Sequence, residues 1–96
     1  MPRCAKGRRR TTIAPGFFDI QSNGHGGQEF SSPTHTAQAV KRIVEQQAAF
    51  GVTRFLPTVT TASFETIVHS LSTIAETCRQ DAGANYIAVG IHLEGP

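Results

Sequence analysis

The chain has 96 residues, room for one domain at most and well short of the roughly 250 that a closed eight-stranded β/α barrel takes. Its composition, 39% hydrophobic and 17% charged with no Trp, excludes a disordered or fibrous polymer, and its apolar stretches fall far below the ~20 residues that cross a bilayer. The net charge of +2 belongs to one end: Arg3, Lys6, Arg8, Arg9 and Arg10 supply five of the nine basic residues, whereas positions 11–96 carry four basic and seven acidic side chains, a net of −3.

Residues 1–13 have no alternation and little apolar content, and read as a basic, disordered tail. The tail lacks interleaved aromatic residues, so nucleic acid is not expected as a partner. No apolar stretch of about 7 to 15 residues follows the charges, so it does not read as a secretory signal and the default location is the cytoplasm. Cys4 and Cys78 have no ligand spacing around them; Cys78 reads as a small buried apolar residue.

From Ala14 onward, short apolar stretches alternate with helical periodicity, the pattern of parallel β/α units. Residues 16–21 predict a first strand, closed by the glycine-rich run NGHGG at 23–27. Ser32 and Pro33 lead into a helix with apolar positions Ala37, Val40, Val44 and Ala48, stopped by Gly51. Residues 54–59, RFLPTV, predict a second strand that ends or bulges at Pro57, because proline cannot donate to the ladder. Ser63 is the predicted N-cap of a second helix, whose stripe comprises Phe64, Ile67, Val68, Leu71, Ile74, Ala75 and Cys78. Residues 81–85 read as a turn and 86–93 as a third strand that delivers Glu94 at its C-terminal end.

The order strand, helix, strand, helix, strand predicts three parallel strands with both helices on one face. This α/β arrangement starts either a barrel or a doubly wound sheet. No G-x-G-x-x-G is present, and the glycines lie about eight residues too early for a phosphate-gripping loop, which favours the barrel.

Three motifs go beyond pattern: APGFFDIQSNGHGG at 14–27, GVTRFLPTVTT at 51–61 and GIHLEGP at 90–96. In this order and spacing the chain resembles the N-acetylglucosamine-6-phosphate deacetylase family of the amidohydrolase superfamily. The resemblance covers 14–96, about a quarter of a typical member. It implies a partial TIM-type (β/α) barrel, comprising the first three parallel strands and two helices, and metal-assisted hydrolysis of an amino-sugar phosphate to acetate and glucosamine 6-phosphate. It also implies one divalent metal per site, Zn or Fe, with Glu94 as a ligand. A carboxylate at the C-terminal end of a barrel strand lies on the face where such barrels assemble their sites, although a lone Glu before Gly-Pro also reads as a surface turn.

Many amidohydrolases carry His-x-His after the first strand; the matching positions here are Gln21 and Asn23. A period of two puts both on one side of the strand, and amide oxygens are poorer transition-metal ligands than imidazole. They are therefore read as hydrogen-bonding partners of the site rather than as ligands. His92 shares a strand face with Glu94 and is a candidate site contact or a structural histidine. Thr58, with Thr60 and Thr61, is a candidate for lining the pocket or capping a helix. His25, His35 and His69 have no ligand spacing and read as surface residues.

The resembling enzymes draw two further metal-binding histidines and an acid/base aspartate from later strands. The 96-residue chain is therefore expected to be inactive alone and to bind metal weakly, since a catalytic zinc normally has three protein ligands. Two alternatives stand beside that reading: one piece of a split deacetylase with a complementing chain, and a non-enzymatic binding module that uses the basic tail. In the resembling family a small β-rich domain precedes the first motif, and residues 1–13 do not look like it.

Overall fold

The computed structural model describes residues 11–95; the basic run, Cys4 and Pro96 lie outside the described residues. Strand β1 (Phe17–Ser22) is followed by the short strands β2 (Gly24–His25) and β3 (Gln28–Glu29), then helix α1 (Ala37–Ala49). Strand β4 (Val52–Val59), helix α2 (Phe64–Gln80), helix α3 (Ala82–Ile87) and strand β5 (His92–Leu93) complete the order. The main sheet runs β1-β4-β5 with both pairings parallel, so β4 is central. The glycine-rich run forms a feature the sequence did not suggest, an antiparallel hairpin in which His25 pairs with Gln28. Its two central residues, Gly26 and Gly27, both have positive φ (58° and 83°), as a tight two-residue hairpin turn requires.

Helices α1 and α2 pack against each other and against β4, covering one face of the sheet as the crossover rule predicts. That side holds the core of Phe30, Val40, Ile43, Val44, Phe55, Val59, Ile74, Ala84 and Ala88. Burying each of the Phe, Ile and Val side chains stabilises the fold by about 1.5–3 kcal/mol, and the two alanines contribute less. Thr36 caps α1 by accepting from the Ala39 amide at 3.2 Å, and Gly51, at φ 84°, ends it in the left-handed conformation. Ser63 caps α2 as expected, accepting from the Thr66 amide at 3.2 Å.

Both helical stripes are rotated from their predicted centres. The buried line of α1 is Val40, Ile43, Val44 and Gln47, while Ala37 and Ala48 are exposed. Gln47 is buried because its amide donates to the buried Ser22 hydroxyl at 2.5 Å. In α2 the buried residues are Ser70, Ile74 and Thr77, flanked by partly buried Ile67, Leu71 and Cys78. Phe64, Val68 and Ala75 face outward. Small residues on the inner line let α2 approach its neighbours, and the Thr77 hydroxyl is satisfied by the Thr73 carbonyl at 2.7 Å.

Three further expectations are corrected. Residues 82–87 are not a turn but a short helix, nucleated by Asp81, whose carboxylate accepts from the Gly83 and Ala84 amides at 2.9 and 3.3 Å. That helix consumes the start of the expected third strand, which is reduced to one bridge from Ala88 to Phe55 and the pair His92–Leu93. Strand β4 runs straight through Pro57 and neither ends nor bulges there. The β1–β4 register is irregular twice: near the start β4 advances from Val52 to Arg54 while β1 advances only from Phe17 to Phe18, and beside Pro57 the extra residue falls on β1, which advances from Asp19 to Ser22 while β4 advances from Phe55 to Pro57. The Phe55 and Val59 carbonyls both bond amides on the β5 side, so the N–H that Pro57 lacks would face β5 and costs the β1 ladder nothing; the β1 irregularity coincides instead with the local turn at Asp19.

Candidate active site

The C-terminal ends of β1 and β5 meet across the end of β4. Parallel pairing of Thr58 with His92 and Val59 with Leu93, extended by a 3.0 Å bond from the Glu94 amide to the Val59 carbonyl, holds Glu94 just past β5. Gln21 reaches it from β1, its Nε2 donating to Glu94 Oε2 at 3.1 Å. The β1 irregularity makes this reach feasible. The Asp19 carboxylate accepts from the Gln21 amide at 3.0 Å, a local turn that takes Ile20 and Gln21 out of regular pairing.

A second tie joins the same two strands. His92 Nδ1 lies 2.9 Å from the Ile20 carbonyl, and because a carbonyl only accepts, Nδ1 is the donor. Strands on either side of a central one lie about 9.5 Å apart in a flat sheet. A short imidazole bridges that gap here because the Ile20 carbonyl is free of the ladder with β4. Residues 20 and 21 thus grip residues 92 and 94, and both grips cross the same face of β4.

The other predicted positions are less engaged. Asn23 lies one residue beyond β1, exposed, and its carbonyl accepts from the Phe30 amide. Thr58 is fully buried, its hydroxyl donating to the Leu56 carbonyl at 3.1 Å. Thr60 is held by Ser31, whose hydroxyl oxygen accepts from the Thr60 amide at 2.8 Å. His25 packs its ring 5.0 Å from that of Phe50. The surface reading fails for His35, which is 4% exposed and stands edge-on to Phe30, because the loop before α1 folds inward there. His69 is exposed but bonds the His35 carbonyl at 2.7 Å.

Burial first, and the charge of Asp81 second, push the Cys78 thiol up from its ordinary range, consistent with an inert apolar role. Sequence reasoning missed Asp19, Ser22, Gln47 and Ser31, all of which shape this end of the sheet. Asp19, two residues before Gln21, carried the one available local signal; the others act through contacts remote in sequence.

Among the described residues no three His, Cys, Asp or Glu side chains come together in the manner of a cation shell. Glu94 offers one carboxylate and His92 commits Nδ1 to a backbone carbonyl, so these residues do not by themselves fit a divalent metal. No helix among the described residues is long and apolar enough to cross a membrane.

No family model matches the chain. Curated relatives do: an N-acetylglucosamine-6-phosphate deacetylase from Danio rerio is 42% identical over 90 residues, covering 88% of this chain and 20% of that protein. An N-acetylgalactosamine-6-phosphate deacetylase from Shewanella sp. is 35% identical over 85 residues, covering 88% of this chain and 21% of that protein. A solved structure of N-acetylglucosamine-6-phosphate deacetylase from Pasteurella multocida superposes with a TM-score of 0.73 at 30% identity, over 85% of this chain and 21% of that one. The chain spans about a fifth of the length of the relatives it matches. Motifs, sequence relatives and fold thus converge, and this chain resembles a segment of the N-acetylglucosamine-6-phosphate deacetylase family.

Proposed function

We propose that the chain forms the opening strands of a cytoplasmic, metal-dependent amino-sugar-phosphate deacetylase with a (β/α) barrel, whose reaction adds water across the acetamide C–N bond to release acetate and the amine. The observation that carries this reading is the Gln21–Glu94 hydrogen bond, which joins the first and last of the three motifs at one end of the sheet. In this reading Glu94 contributes one ligand to a Zn or Fe site, and residues outside these 96 contribute the rest. Gln21 fixes one oxygen of that carboxylate. His92 ties β5 to β1, while Asn23 and Thr58 remain candidate substrate-side and supporting positions. The substrate is an N-acetylated hexosamine 6-phosphate; the relatives' names include both the gluco and the galacto sugar.

The 96-residue chain alone is expected to release no acetate above background from either sugar phosphate with Zn²⁺ or Fe²⁺ added. Measured, metal-dependent release would overturn the claim that Glu94 is one ligand among several.

A second reading, complementation by another chain, is favoured by the sheet edges. Both β1 and β5 have an unpaired side, and Phe17, Phe18, Ile20 and Leu93 are each more than half exposed. Co-expression with the remaining segment of a relative should then restore acetate release, and Gln21→Leu in that complex should lower it. A pair that associates without activity would count against both readings. The binding-module alternative rests on residues outside those described.

A further inference from the structure

The connection between β3 and α1 contains a buried imidazole with no partner. His35 is 4% exposed, and both Nδ1 and Nε2 are enclosed without a hydrogen bond. Its ring meets Phe30 edge-on, with centroids 5.7 Å apart, and its carbonyl accepts from Nε2 of His69 on α2 at 2.7 Å. The same short segment carries Ser31, which binds the amide and hydroxyl of Thr60 at 2.8 and 3.1 Å, and Thr36, the cap of α1. Residues 31–36 therefore connect the end of β4, the middle of α2 and the start of α1.

The charged groups around His35 do not favour an imidazolium. From α2, His69 is a second potential cation. Glu76 on α2 and Glu29 on β3 line the clefts that His35 also borders, yet neither bonds its ring. The Glu76 carboxylate is engaged by Arg79 and Gln80. From the start of α1 come only Thr36 and Ala37, which are uncharged.

We propose that His35 is a proton-operated latch: neutral, it seals residues 31–36 against α2, and protonated, it opens that segment and releases Thr60 at the end of β4. Apart from His35 the segment consists of Ser and Thr with the exposed Pro33, all partly or fully exposed, so opening uncovers one ring rather than the whole core. Burial chiefly, and His69 secondarily, hold the His35 pKa below the ordinary 6.5. The open form takes a proton near 6.5 and the closed form only at lower pH. The seal is complete above 6.5 and weakens as pH falls below it, because the open form then binds more protons. This inference is independent of the deacetylase reading.

Amide hydrogen exchange of the full chain, followed by NMR from about pH 7.5 to about pH 5, tests it. After correction for intrinsic rates, the Thr34, His35 and Thr60 amides should exchange up to about tenfold faster per pH unit below the ordinary histidine range, while the Phe55 and Val59 amides stay protected. His35→Phe and His35→Gln should abolish the response, and His69→Gln should retain it. A response lost in His69→Gln, or unchanged in a folded His35 variant, overturns the proposal. Should neither His35 variant fold, the wild-type ring titration decides. A His35 ring that titrates below 6.5 in step with Thr60 exchange supports the latch, and one that titrates at or above 6.5 overturns it.

Discussion

The two faces of the sheet are built from similar residues and end in opposite environments. On the helix-covered side Phe55 and Val59 are 0% exposed, whereas Phe18 and Ile20 on β1 are 57% and 66% exposed. Apolar character alone therefore does not set burial; a second layer does. β4 has β1 and β5 on its flanks and α1 and α2 against one face, while β1 is an edge strand. Near-continuous apolar runs are typical of parallel strands covered on both faces, so β1 has the composition of a strand with more neighbours than it has here. That mismatch supports the proposed place of the segment within a larger barrel.

Paired truncations would sharpen the contrast most. Phe55→Ala should cost about 3–5 kcal/mol in denaturant unfolding, enough to unfold a small domain, whereas Phe18→Ala should stay within about 0.5 kcal/mol. Equal losses would mean that β1 is covered after all. Gln47→Ala should cost about 1–3 kcal/mol, because it strands the buried Ser22 hydroxyl that links α1 to the end of β1. At the covered face's margin, Ser63→Ala should cost about 1 kcal/mol by removing the α2 cap. Phe18→Lys should change folding stability least, yet suppress self-association at the β1 edge, as read by light scattering against concentration. Unaltered association would locate the contact elsewhere.

Much of the fold was legible where the chemistry was local. Thr36 was not singled out as a cap, but Ser63 and Gly51 were, because capping and left-handed termination depend on residues within one turn. The positions of both long helices followed from their 3.6-residue period. Their inner faces did not, because Gln47 and Thr77 are buried through hydrogen bonds that no hydropathy stripe reveals. The third strand was overestimated because residues 86–91 are apolar enough for a strand, while the Asp81 cap diverts the first of them into α3. At the site, Glu94 and Gln21 were both identified from motifs, but their contact joins residues 73 positions apart. His35 was misjudged for the same reason: its burial depends on Phe30 and α2, not on its neighbours in sequence.

The sequence by itself determined the alternation of strands and long helices, the helix ends at Gly51 and Ser63 and the family resemblance, all encoded in near neighbours or contiguous motifs. Only the tertiary structure decided that the ladder irregularity beside residues 55–57 falls on β1, and that this turns Ile20 and Gln21 toward His92 and Glu94. The physical reason is that a ladder irregularity belongs to two strands at once. The Asp19 turn is local, but whether it leaves Ile20 and Gln21 unpaired depends on the register of the neighbouring strand.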